Sequence, residues 1–186
     1  GNLDSAVASD LVAGLRTLPR VVEEVLGRED DVRALAEGFV GHDDVYFIGR
    51  GLDYAVAMEG SLKMKEFSYI YSEALPAGEL KNGPLALVTQ STPVVVVLTQ
   101  PPVNNKTLYA LQEVKARHAF TVALAYDDDT EIAKHAARVI RIPRVPDLLA
   151  PVPAIVPLQL LAYHVAAFRG HDIDQPRNLA KSVTVE

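Results

Sequence analysis

The sequence predicts an α/β chain folded as a three-layer α/β/α sandwich around a mainly parallel, doubly wound sheet. Three observations carry that expectation. Short apolar runs at 45–48, 94–98, 120–125 and 139–142 alternate with helical spacing at 53–71, 104–117 and 130–137, which is the rhythm of repeated βαβ units. Val94-Val95-Val96-Val97-Leu98 has no polar alternation, so that strand is expected to be covered on both faces, as in the middle of a parallel sheet. A hydrophobic share of 49% over 186 residues is enough to fill the core of one domain.

Taken in order, Ser5–Leu26 and Asp30–Phe39 have helical spacing, with Asp30 or Asp31 as cap and Gly41 as stop, and form a helical preface over residues 1–40. The main domain is expected over 41–170. Its first strand ends in Gly49-Arg50-Gly51, a strand-to-helix turn whose backbone N–H groups could approach an anion, although the third glycine of a dinucleotide fingerprint is missing. Residues 78–84, Gly-Glu-Leu-Lys-Asn-Gly-Pro, have turn chemistry with two charges that could reach a ligand or partner, and 100–105 reads as a mobile loop. Ala150 to Phe168 carries no formal charge over nearly the length of a membrane span. Pro151, Pro153, Pro157, Gln159 and His164 interrupt it, which argues for a buried core helix and against a membrane. Residues 171–186 form a polar tail carrying Arg177 and Lys181.

The helix at 53–71 holds Glu59, Lys63 and Glu66 at i, i+4 and i+7, within roughly 60° of one another at about 3.6 residues per turn. The wheel flanks them with Ala55, Met58 and Leu62 on one side and Val56, Phe67 and Ile70 on the other. Asp53, Gly60, Ser61, Lys65 and Ser68 gather opposite, as a solvated face would. The triad is therefore predicted to face inward. An acid, a cation and a second acid in one low-dielectric cleft have the pattern of proton-transfer chemistry, whereas a solvated charge stripe is the structural alternative.

Composition narrows the partners. A net charge of −6 disfavours a nucleic-acid backbone. With no cysteine there is no disulfide, thiolate nucleophile or thiolate metal site, and a reducing compartment fits best. The five histidines show no metal-ligand spacing, so neither metal nor cofactor is expected. Gly1-Asn2-Leu3-Asp4 lacks the features of a signal peptide, and the missing initiator Met suggests processing or an excised fragment, which gives a cytoplasmic expectation.

Glu59-Gly60-Ser61-Leu62-Lys63-Met64-Lys65-Glu66, Ala77-Gly78-Glu79-Leu80-Lys81, Gly83-Pro84-Leu85-Ala86-Leu87, Pro157 to Tyr163 and Asp174 to Glu186 closely resemble the carboxyl-terminal part of the glucosamine-6-phosphate synthases. The resemblance runs from about Val45 to the last residue. It implies the second of two sugar isomerase (SIS) subdomains, with an SIS fold and an ordered tail. It assigns Glu66 as the base moving a proton between C1 and C2 of the phosphosugar, with Glu59 and Lys63 as its neighbours. Lys181 would reach the sugar from the tail and engage its carbonyl as an imine, and Gly49, Arg50, Gly51, Asn82 and Ala180 would complete the substrate contacts. The ligand is then fructose 6-phosphate or glucosamine 6-phosphate. The partners are the first SIS subdomain, a glutaminase domain and a second copy in a homodimer.

Two parts of that machinery have no counterpart here: the glutaminase cysteine and the Ser/Thr-rich phosphate loop of the first subdomain. A third departure is Asn82, where the family usually has the histidine credited with opening the sugar ring. Asn does not titrate near neutral pH. The alternatives are a non-catalytic sugar-phosphate-binding regulatory module and a related SIS deglycase acting on an open-chain amino sugar.

Overall fold

The computed structural model describes residues 4–178. Five parallel strands, β1 (Asp44–Gly49), β2 (Tyr71–Pro76), β3 (Pro93–Leu98), β4 (Phe120–Tyr126) and β5 (Arg138–Ile142), form one sheet in the order β2-β1-β3-β4-β5. Five α-helices accompany it: α1 (Ser5–Leu26), α2 (Glu29–Ala36), α3 (Leu52–Ser68), α4 (Pro101–Lys115) and α5 (Pro151–Phe168).

The two faces of β3 show how the layers arise. Val95 and Val97 point into a core built with Val21 and Val25 of α1, Val32 of α2, Val56 and Met64 of α3 and Leu158 and Leu161 of α5. Val94, Val96 and Leu98 point the other way, onto Ala110, Leu111 and Val114 of α4. Every residue of β3 is buried, as two covered faces require. The preface packs into the first of these cores. It is also tied to the sheet by Arg28, whose guanidinium donates to both Asp127 oxygens at 2.6 and 2.9 Å and to the Arg141 carbonyl at 3.1 Å.

Helix α5 is long and apolar enough by composition to cross a membrane, yet half of that stretch is buried and it packs against α1, α2 and α3. Two local expectations fail, and one strand is not predicted. Residues 100–105 are no loop: Pro101 and Pro102 start α4, where proline's missing N–H costs nothing. The helix expected over 130–137 shrinks to one 3-10 turn, Ile132–Lys134, which Asp129 caps by accepting from Ile132 N at 3.1 Å and which ends because Ala137 N already donates to the Thr121 carbonyl at 3.0 Å as the chain enters β5. Edge strand β2 goes unpredicted because Tyr-Ser-Glu-Ala-Leu-Pro carries no β-branched residue and ends in proline.

Candidate active site

Helix α3 sits against the sheet, but with the face opposite to that expected. Its buried residues are Asp53, Val56, Ala57, Gly60, Ser61, Met64 and Ser68, while Ala55, Met58, Leu62 and Lys65 are exposed. The predicted inward orientation of Glu59, Lys63 and Glu66 is thus corrected. Small and polar residues line the inner face because close approach is needed there. A Cβ on Gly60 would stand 2.8 Å from Leu158 Cδ1 and 3.0 Å from Phe47 Cε1. The inner hydroxyls are satisfied internally, with Ser72 Oγ donating to Ser61 Oγ at 2.8 Å and Ser68 Oγ to the Met64 carbonyl at 2.6 Å. A hydropathy wheel counts such residues as polar, and packing counts them as small.

The triad itself forms. Lys63 Nζ donates to Glu66 Oε2 at 2.7 Å and lies 3.5 Å from Glu59 Oε1, with side-chain exposures of 25%, 23% and 41% for Lys63, Glu66 and Glu59. The bond to Glu66, with the charges of both glutamates, holds the Lys63 ammonium above its ordinary pKa against a smaller effect of burial. Beside it opens an apolar groove of about 360 Å³ lined by Leu26, Lys63, Phe67, Val156, Leu160 and Tyr163, among others, with the ammonium 5.9 Å from the Phe67 ring centre. Ile173 closes one side, so the segment entering the tail borders the groove. That segment is anchored on Tyr69, whose hydroxyl accepts from Arg177 N at 2.8 Å and whose ring carries the Arg177 guanidinium at 4.1 Å. Lys181 and Ala180 lie outside the described residues.

Gly49, Arg50 and Gly51 form the turn between β1 and α3. Gly49 admits no side chain, since a Cβ there would lie 2.3 Å from the Asp53 carbonyl oxygen, and Gly51 has φ +62° and ψ −129°, a glycine conformation. The Arg50 guanidinium reaches over Gly78, and its Nε is buried without a hydrogen-bond partner among the described residues. Asn82 is exposed and donates to Glu79 Oε2 at 2.7 Å, while Lys81 pairs with Glu113 at 2.7 Å. Asn82 thus bonds within its own loop and Lys81 to α4, and neither bonds to the triad. No group of three or more metal-ligating side chains occurs among the described residues. Asp53, which the wheel put with the solvated residues, is fully buried and holds the end of β3.

A five-stranded parallel sheet with this strand order defines the doubly wound α/β class, and the SIS domain model matches residues 39–169. The chain belongs to the SIS domain family. It is 54% identical over all 186 residues to glutamine–fructose-6-phosphate aminotransferase (isomerizing) of Symbiobacterium thermophilum, covering 30% of that protein. It is 50% identical over 186 residues to the enzyme of the same name from Thermus thermophilus, covering 31%. Among solved structures, the C-terminal domain of glucosamine-fructose-6-phosphate aminotransferase from Francisella tularensis superposes with a TM-score of 0.88 at 38% identity, over 94% of this chain and 49% of that one. The chain thus spans about a third of the length of these curated relatives.

Proposed function

We propose that this chain is the second SIS subdomain of a longer glutamine–fructose-6-phosphate aminotransferase (isomerizing), and that it moves the proton between C1 and C2 of the bound phosphosugar. The observation that carries this reading is the 54% identity, over all 186 residues of this chain, to part of such an enzyme, in a chain whose Lys63 and Glu66 meet at 2.7 Å on the rim of a groove. Glu66 acts as base. Lys63 has three N–H donors. One is engaged by Glu66 and one faces Glu59, which leaves one for the sugar oxygen on which negative charge develops. Lys181, as the neutral amine, reaches the open-chain carbonyl from the tail and engages it as an imine, the carbonyl oxygen leaving as water.

Gly49, Arg50, Gly51, Asn82 and Ala180 contribute substrate contacts, and no cofactor is needed. The first SIS subdomain, a glutaminase domain and a second copy of the protein complete the assembly. The phosphorylated substrate and the net charge of −6 on this chain fit a cytoplasmic enzyme that takes neither nucleic acid nor membrane as partner. The test is to incubate the longer protein with fructose 6-phosphate in deuterated water, with and without glutamine. Deuterium entering the sugar carbons, and glucosamine 6-phosphate appearing with glutamine, are expected. Absence of both refutes the reading.

A further inference from the structure

The crevice at the sheet's topological switch point is occupied by the chain's own carboxylate. β1 lies between β2 and β3, and the helices that follow β1 and β3 leave on opposite faces. In open parallel sheets this arrangement opens a ligand crevice beyond the carboxyl ends of those two strands, with backbone N–H groups presented to an anion. Here Asp53, 0% exposed, fills it. Its Oδ2 accepts from Thr99 N at 2.9 Å and Gln100 N at 3.2 Å, and its Oδ1 accepts from the Thr99 hydroxyl in a short hydrogen bond.

Two amides and a hydroxyl converging on one anion are the donor set that a phosphate would use. A second, independent feature marks the place. Tyr126 ends the neighbouring strand β4 at 1% exposure, and its hydroxyl is buried without a partner among the described residues; that burial raises its pKa, with smaller contributions from the charges of Asp147 and Asp53. Burial also raises the Asp53 carboxyl, against the three bonds that lower it, and the nearby Asp147 adds to the rise. The chain thus keeps a desolvated charge that an alanine would not carry.

We infer that Asp53 is an internal anion standing in the phosphate position of this crevice, and that it closes the crevice to phosphate esters. Any phosphorylated ligand of this chain must then have its phosphate held by residues outside this switch point. The inference rests on the crevice geometry and goes beyond the isomerase reading, so each can fail without the other.

The test uses the 186-residue chain, because the longer protein is expected to carry a phosphate cradle elsewhere. Inorganic phosphate is titrated against chloride at equal ionic strength for the wild type, Asp53→Ala, Asp53→Gly and Asp53→Asn. The wild type and Asp53→Asn, whose side chains fill the crevice, are expected to show no phosphate-dependent change in thermal midpoint. Asp53→Ala and Asp53→Gly are expected to melt lower in chloride and to recover about 5–10 °C at phosphate ~100-fold above its Kd, with the Thr99 and Gln100 amide signals moving as phosphate is added. A folded Asp53→Ala that ignores phosphate overturns the inference, as does a wild type whose Thr99 and Gln100 amides respond to it. Should the small variants fail to fold in chloride, folding restored by phosphate supports it and failure in both buffers overturns it.

Discussion

Glu66→Gln separates a catalytic carboxylate from a structural one, because the two roles predict effects of different size. Gln keeps the shape and still accepts a hydrogen bond from Lys63 Nζ, so the substitution removes only a charge from a pair 2.7 Å apart on one helix, with both side chains about a quarter exposed. Pairs of that kind contribute about 0.2–1 kcal/mol to stability. In a domain of this size that is a change in Tm of at most about 4 °C. Loss of a general base costs about 10² to 10⁴ in rate, which at 1.36 kcal/mol per decade is about 2.7–5.4 kcal/mol of barrier. The assay compares kcat, KM for fructose 6-phosphate and Tm for the longer protein and its variant. We expect kcat to fall at least about 10²-fold with KM nearly unchanged and the fold intact. Turnover at the wild-type rate refutes Glu66 as the base. A fall in activity that merely follows a large loss of folded protein refutes the catalytic reading too.

Gly60→Ala pushes a methyl to 2.8 Å from Leu158 and 3.0 Å from Phe47; overpacking of about 1–3 kcal/mol against about 1 kcal/mol of regained helix propensity should leave the variant less stable in urea, and a stabilised variant contradicts the packing. Asn82→His restores a titratable imidazole and should raise turnover on the cyclic sugar by up to about 10²; an unchanged rate means that Asn82 does not limit ring opening. The protein should sediment as a homodimer at concentrations on the order of tens of micromolar, and a purely monomeric boundary counts against a site shared between subunits. For Asp53 the native carboxyl is held above the ordinary 3.8, chiefly by burial, so the folded state binds the proton more tightly and stability falls as pH rises from 3.8 through the raised value. The unfolding free energy of wild type minus Asp53→Asn should therefore decline across that range, and a flat or rising difference refutes the assignment.

The elements that the sequence announces are those in which local chemistry and packing agree. Val94 to Leu98 is apolar at every position because both faces are covered, and α5 is apolar because it packs against three helices. Legibility fails where a residue's role depends on something distant in sequence. β2 is a strand because β1 lies beside it, pairing Asp44 with Tyr71 through Gly49 with Pro76, and nothing in Tyr71–Pro76 itself requires extension. Ile132 and Ala136 are buried under the sheet without needing a helix to carry them there.

The spacing of Glu59, Lys63 and Glu66 does bring the three charges together, since i, i+4 and i+7 is a property of the helix alone. Which way they point is not. That depends on what the opposite face can pack against, and there Gly60 accommodates Phe47 and Leu158 while Asp53 finds its donors 46 and 47 residues further along the chain. The same partition shapes the chemistry. A triad buried under the sheet would take its low dielectric from this domain. One on the outer side of α3, a quarter to two-fifths exposed, needs further protein over the groove between Phe67 and Tyr163 before water is excluded from its carboxylates.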